Sequence, residues 1–119
     1  MKVRVSEAER QVLDWMVAKA EGAYTPTVDT DIDGTKRINY GGMYPEWSTD
    51  WSQGGPIIER ERLSLTPRDG YWDCYVHDRL FEEDGTDHYS TGTTPLIAAM
   101  RCYVSSKLGD EIDVPEELQ

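Results

Sequence analysis

Long apolar runs are missing from this 119-residue chain, and none approaches the roughly 20 residues that cross a bilayer as a helix. The first ten residues, MKVRVSEAER, lack the apolar centre of a secretory signal. Cysteine is scarce: Cys74 and Cys102 cannot build a disulfide framework and do not require an oxidising compartment. Basic residues are outnumbered, 12 Lys and Arg against 23 Asp and Glu, for a net charge of −11. Direct binding to nucleic acid needs cations against phosphates, so that class is disfavoured. Phenylalanine occurs once, whereas there are four tryptophans and seven tyrosines, residues with an apolar body and a polar tip that suit half-buried sites and interfaces. These absences leave a polar globular chain of single-domain length, expected in a cytoplasm.

The acidity is uneven. Residues 1–60 hold 7 basic and 10 acidic residues, a net −3, and residues 61–119 hold 5 and 13, a net −8. FEEDGTD (81–87) and GDEIDVPEEL (109–118) carry most of it. Such a surface favours solubility and suits a basic partner.

Two helices can be read from spacing. Ser6 and Glu9 form a capping-box pattern, and Val12, Leu13, Met16, Val17 and Ala20 recur at helical intervals before Gly22, predicting a helix over about 7–21. Thr94 can cap a second helix with Pro95 at its first position. Leu96, Ile97, Met100, Tyr103, Val104 and Leu108 form its stripe, and Gly109 ends it. Ala98, Ala99 and Cys102 leave it few polar positions, so it should be well buried.

Between them the period is two. YWDCYVH (71–77) puts Trp72, Cys74 and Val76 on one face, with Tyr71, Asp73, Tyr75 and His77 on the other. PIIERERLSL (56–65) reads as a strand entered by a turn at Gly54-Gly55, with Leu63 and Leu65 toward the core. Pro67-Arg68-Asp69-Gly70 joins the two strands. The expected architecture is α+β: about four antiparallel strands with two helices packed on one face. Residues 1–108 form the domain, and 109–119 an acidic, loosely held tail.

DTDIDGTKRINY (29–40) begins like a calcium loop, with Asp29, Asp31, Asp33 and Gly34 in place. Its last position is Tyr40 where a bidentate Glu is needed, Arg37 falls inside the would-be shell, and Gly41-Gly42 and Pro45 forbid the exiting helix. A β-hairpin through Asp33-Gly34 fits better. An odd, three-residue loop places Val28, Ile38 and Tyr40 on the buried face, and Asp29 and Asp31 on the outer face with Arg37.

Other chemistry is thin. Cys74, His77, His88 and Cys102 are zinc-type ligands, but Cys74 and His77 point to opposite faces of a strand. His77 faces solvent and His88 sits beside Asp87 in the acidic loop; neither has a nucleophile and orienter in the pattern of a hydrolytic site. Gly41-Gly42 and Gly54-Gly55 lack the spacing and the lysine of a phosphate cradle. The helix–strands–helix order also belongs to double-stranded RNA-binding domains, yet EEDGTDHYSTGTTP precedes the second helix, the wrong charge for phosphates. No catalytic, cofactor or metal residue is assigned.

Three stretches together carry a resemblance: MKVRVSEAERQVLDWMVAKAEG, WSTDWSQGGPIIERERLSL and TPLIAAMRCYVSSKLGDEIDVPEEL. They resemble the NinX-like family of small tailed-phage and prophage proteins, with Trp51…Gly54-Gly55-Pro56-Ile57-Ile58-Glu59-Arg60-Glu61 and the Thr94–Arg101 segment as the most specific pieces. The resemblance implies expression in an infected bacterium and supplies no catalytic residues.

Residues 56–65, read as a strand, carry charge on both faces at one end, as an edge or protruding strand would. Tyr44, Trp47 and Trp51 precede them in an irregular stretch, and with Glu59, Arg60 and Glu61 they form the candidate binding surface. The expected function is a non-enzymatic module that binds a host or phage protein, with no direct nucleic-acid or membrane contact and self-association compatible with the sequence. Two alternatives stand beside it: an acidic DNA mimic that blocks a host nucleic-acid-binding protein, and a ligand-binding protein or enzyme with a site at Tyr44, Trp51, Glu59 and Arg60.

Overall fold

The computed structural model describes residues 1–76 and 89–119. His77, His88 and the acidic loop at 81–87 lie outside the described residues. The fold is α+β, with seven strands and three helices among the described residues. The strands form three small antiparallel sheets: β1 (Lys2–Arg4) with β7 (Glu111–Asp113), β2 (Thr27–Thr30) with β3 (Lys36–Asn39), and β4 (Leu63–Pro67), β5 (Trp72–Val76) and β6 (Tyr89–Gly92) in sequence order.

Helix α3 (Pro95–Leu108) is the centre of the molecule. It packs on all three strands of the β4-β5-β6 sheet and receives α1 (Arg10–Glu21) and α2 (Trp51–Glu61) on its other sides. Only α3 therefore lies across that sheet; α1 packs on α3 and β3, rather than beside α3 on one sheet face. The helix is set as its sequence dictates. Thr94 Oγ1 accepts from the Ile97 N–H at 3.1 Å, Pro95 fills a position whose N–H has no helical partner, and Gly109 ends it. Thr94→Ala is expected to cost about 1 kcal/mol in urea unfolding, with Thr94→Ser close to wild type.

The core joins Val5, Leu13, Met16, Val17, Cys74, Met100, Cys102, Val104 and Val114. A smaller cluster of Ala18, Ile38 and Tyr40 lies under the β2-β3 hairpin, and Trp15 and Trp47 touch both clusters. The hairpin follows the parity argument, with Val28 only half-buried. Val28 pairs with Ile38 and Asp29 with Arg37, the Asp31 N–H donates to the Thr35 carbonyl at 2.8 Å, and three residues span the tip. Ile38 and Tyr40 are buried, and Arg37 bonds Asp31 at 2.8 Å on the outer face.

Three further expectations are corrected. Residues 56–65 are not a strand: Trp51–Glu61 is helix α2, and the strand begins only at Leu63. Asp50 caps the helix through the Ser52 N–H (2.9 Å), and Gly54, Ile57 and Ile58 form its inward stripe. Glu59, Arg60, Glu61 and Arg62 thus spread around a helix end instead of alternating across a strand. Pro56 sits inside α2, where a proline ordinarily costs about 3 kcal/mol; the packing outweighs that cost. An added Cβ on Gly54 would lie 2.5 Å from the Trp47 carbonyl oxygen and 2.7 Å from Leu96 Cδ2, so the glycine is there for closeness.

The Ser6 capping box is also not formed. Val5–Glu7 is a 3-10 turn that buries Val5 and Ala8, and α1 starts later, at Arg10. The acidic segment after Gly109, expected to be loosely held, supplies β7. Val114 is buried, its N–H donates to the Met1 carbonyl at 3.0 Å, and the Val5 N–H donates to the Asp110 carbonyl at 2.9 Å.

Candidate functional site

The six residues singled out from sequence do not share one site. Arg60 donates from Nε to Glu61 (2.8 Å) and from one Nη to Glu21 (3.1 Å) and the Tyr103 hydroxyl (3.2 Å), and Lys107 reaches Glu61 at 3.3 Å. These bonds fasten the end of α1 to α2 and α3. The bond to Glu61 leads the causes that raise the Arg60 pKa above its ordinary value, so this guanidinium is firmly charged. Glu59 is exposed beside it. Tyr44 belongs elsewhere: its hydroxyl donates to Asp29 at 2.8 Å, and the Arg37 guanidinium lies 5.8 Å from its ring centre. Trp47 is half-buried and meets Tyr40 edge-on, 5.5 Å between ring centres. Trp51 opens α2 with 53% of its surface exposed.

The aspartates of 29–33 are likewise occupied. Asp29 accepts from Asn39 (3.0 Å) and Tyr44, Asp31 pairs with Arg37, and Asp33 accepts from the Thr35 N–H at 3.0 Å. Cys74 and Cys102 are buried thiols on facing elements. A hydrogen bond between them and then burial push the Cys74 pKa far up, so it is no nucleophile. No group of three His, Cys, Asp or Glu converges among the described residues.

A groove that sequence reading missed lies beside β3. It holds about 320 Å³ and is bounded by the start of α1 (Arg10, Gln11, Asp14), by residues 35–38 and by residues 44–46 and Thr49. Arg10, Lys36 and Arg37 all line it, a quarter of the 12 basic residues of a strongly acidic chain. At its floor Asp14 is only 4% exposed and accepts from the Ser48 N–H at 2.9 Å. Burial lifts its pKa from 3.8 to about 6, Ser48 opposes the rise, and Glu46 adds to it through like charge. Arg10 takes φ +53°, a strained conformation for a residue with a side chain. One sign in the sequence pointed here: Asp14 interrupts the apolar face formed by Leu13, Val17 and Ala18.

Around the corner from the groove is an apolar cluster. Tyr24 (56% exposed) stands edge-on to Tyr40 at 5.2 Å, and Met43 (64% exposed) is bridged to Tyr40 through the backbone. The Tyr40 hydroxyl accepts from the Ala23 N–H at 2.9 Å, fixing Tyr24 to the hairpin. Gly41 must be glycine on two counts, since φ is +63° and a Cβ would fall 2.7 Å from the Tyr24 ring.

Comparison with known proteins settles the lineage. The family model described as bacteriophage P22 NinX matches residues 4–107. The chain belongs to the NinX family. That span takes in α1, the hairpin, α2, the three-stranded sheet and nearly all of α3, so the groove and the apolar cluster are both built from family-matched residues. No curated protein matches the chain. Family membership makes this a bacteriophage-type protein and attaches no chemistry to any of the residues above. No helix among the described residues is long and apolar enough to cross a membrane.

Proposed function

We propose that this NinX-family chain is a non-enzymatic accessory protein that works by binding another protein, of host or phage origin, in the cytoplasm of the infected bacterium. The observation that carries the reading is the exposure of several large apolar side chains: Tyr24, Met43 and Tyr44 in or beside the hairpin, and Trp51 at the head of α2. Aromatic and methionine side chains dominate the centres of protein interfaces, and fixing them beforehand lowers the ordering cost of association. The DNA-mimic alternative draws less support. Asp29, Asp31, Asp33, Asp50, Asp73, Glu21 and Glu61 all bond groups within the chain, which leaves, among the described residues, the exposed Asp110, Glu111, Asp113, Glu116 and Glu117 of the carboxyl-terminal segment as a run of phosphate-like charges such a mimic could offer. The enzyme alternative would need Tyr44, Trp51, Glu59 and Arg60 in one cleft, and the bonds of Tyr44 and Arg60 belong to separate networks.

Affinity capture from phage-infected cells tests the proposal. The protein is expected to retain a specific partner that is lost with Met43→Ser/Tyr44→Ser or with Trp51→Ser, while the thermal midpoint moves by no more than about 2 °C, as surface changes should. Capture undiminished by both variants would refute it.

A further inference from the structure

We propose that the groove beside β3 receives an extended acidic segment of the partner protein as an added strand. This rests on the protein-binding reading and goes further by naming the surface and the chemistry of what it takes. The argument begins with the ladder. In an antiparallel pair, successive residues point their N–H and C=O alternately toward the partner strand and away from it. Asp31 and Thr35 bond across the hairpin, so with the observed register Asp29–Arg37 and Thr27–Asn39 are the inward-bonded pairs. The backbone groups of Lys36, Ile38 and Tyr40 therefore point away from β2.

Two contacts agree with this parity. The Lys36 carbonyl accepts a long bond (3.4 Å) from Gln11 Nε2, and Tyr40 exchanges backbone bonds with Met43 at 2.8 and 3.2 Å. Residues 43–45 thus begin a third strand along β3, and continuing that register would put Pro45 opposite Ile38. A proline has no N–H to give, and among the described residues no backbone bond joins Ile38 to Pro45. The chain leaves the edge there, and the groove of about 320 Å³ opens at that point, alongside residues 35–38. The sheet edge is thus a started and abandoned pairing, the kind of edge on which peptides add as strands.

Charge selects the occupant. Arg10, Lys36 and Arg37 flank the edge, Arg37 shared with Asp31 (2.8 Å) and Lys36 with the Thr30 hydroxyl (2.8 Å), against Glu46 and the buried, Ser48-bonded Asp14. A second copy pairing here through its own β3 would bring another Lys36 and Arg37 to the same edge, and gathering like charges on an edge is unfavourable. Carboxylates at alternate positions of an incoming strand share one face, so those on residues that bond Lys36 and Ile38 would come to the face of Lys36.

A capped heptapeptide, Thr-Glu-Val-Glu-Val-Glu-Thr, serves as the probe, with its lysine counterpart and a version N-methylated at the three glutamates. The acidic peptide is expected to bind about tenfold or more tighter than the other two. At saturation it should slow hydrogen exchange at the Lys36 and Ile38 amides and leave Arg37 and Asn39, already bonded to β2, unchanged. Lys36→Pro, which removes an outward N–H without breaking the hairpin ladder, should abolish binding. Arg10→Glu with Lys36→Glu, both at groove-wall positions, should turn the preference toward the lysine peptide. Equal binding of the N-methylated peptide, exchange protection that ignores the alternation, or tighter binding of the lysine peptide by the unaltered protein would each overturn the proposal. A partner captured from infected cells through Met43 and Tyr44 whose capture survives Lys36→Pro would also overturn it, and would leave the protein-binding reading standing.

Discussion

Gly92→Ala is expected to destabilise the protein by about 2–4 kcal/mol, because the added methyl has nowhere to go. A Cβ there would lie 2.5 Å from the Ala98 nitrogen, 2.8 Å from Ile97 Cγ2 and 3.0 Å from the Ala98 Cα. Two of those three atoms are main chain in the first turns of α3. The Thr94 cap and the packing of α3 on β4, β5 and β6 hold that turn in place. Relief requires β6 to move off the helix, and β6 is tied to β5 through the Trp72–Gly92 and Asp73–Thr91 pairs. Gly55→Ala is the matched control. Its Cβ would approach nothing nearer than Trp51 Cε3 at 3.9 Å. An alanine inside α2 should gain up to about 1 kcal/mol over glycine. Equilibrium urea unfolding of the two variants checks both signs. A Gly92→Ala protein within about 0.5 kcal/mol of wild type would mean that β6 and α3 are not in close contact.

Asp14→Asn should raise stability at pH 8 by about 2–3 kcal/mol and change it little near pH 4. The folded pKa of Asp14 is about 6 against 3.8 ordinarily, chiefly because its carboxyl is buried. A carboxyl whose pKa rises on folding takes up a proton when the chain folds. Its contribution is most favourable below about pH 4 and is lost as pH climbs through about 6. Asparagine keeps an oxygen for the Ser48 N–H and carries no charge to bury. Urea midpoints at intervals from pH 4 to pH 8 should therefore diverge upward for the variant. Parallel profiles, or a less stable variant at pH 8, would show that the carboxylate is not held at a cost. The groove floor is thus a place where the fold keeps a group that lowers its own stability near neutral pH, as binding and catalytic sites often do.

The readable parts of the fold were those with local causes. The 27–40 hairpin follows from Asp33-Gly34 and from parity, which any one-residue slip would violate by turning Ile38 outward. Helix α3 follows from Thr94, Pro95 and an apolar stripe ending at Gly109. What failed had distant causes. Gly54-Gly55-Pro56 is a local signal for a turn, and α2 forms through it because Gly54 lets the helix settle against Trp47 and Leu96. The charge pattern of residues 59–62 fits two periods, and only the packing of Ile57 and Ile58 chooses between them. Strands β1 and β7 are three residues each and find one another across most of the chain, which no local pattern can reveal. The groove was hidden for the same reason: Arg10, Asp14, Lys36 and Pro45 meet only after α1 and the hairpin have packed. Tyr44, Trp47 and Trp51 were visible as unusual residues, but their different degrees of burial were not.

The union of β1 with β7 also imposes an order of events during synthesis. Val3 lies opposite Ile112, so the ribosome must have released nearly everything between them before the first strand can find its mate. Until then Val5 has no Asp110 carbonyl to bond and lacks its cover from Val114's segment. The hairpin and the α3-centred layer can assemble earlier from nearer neighbours, and this clasp waits until β7 has emerged.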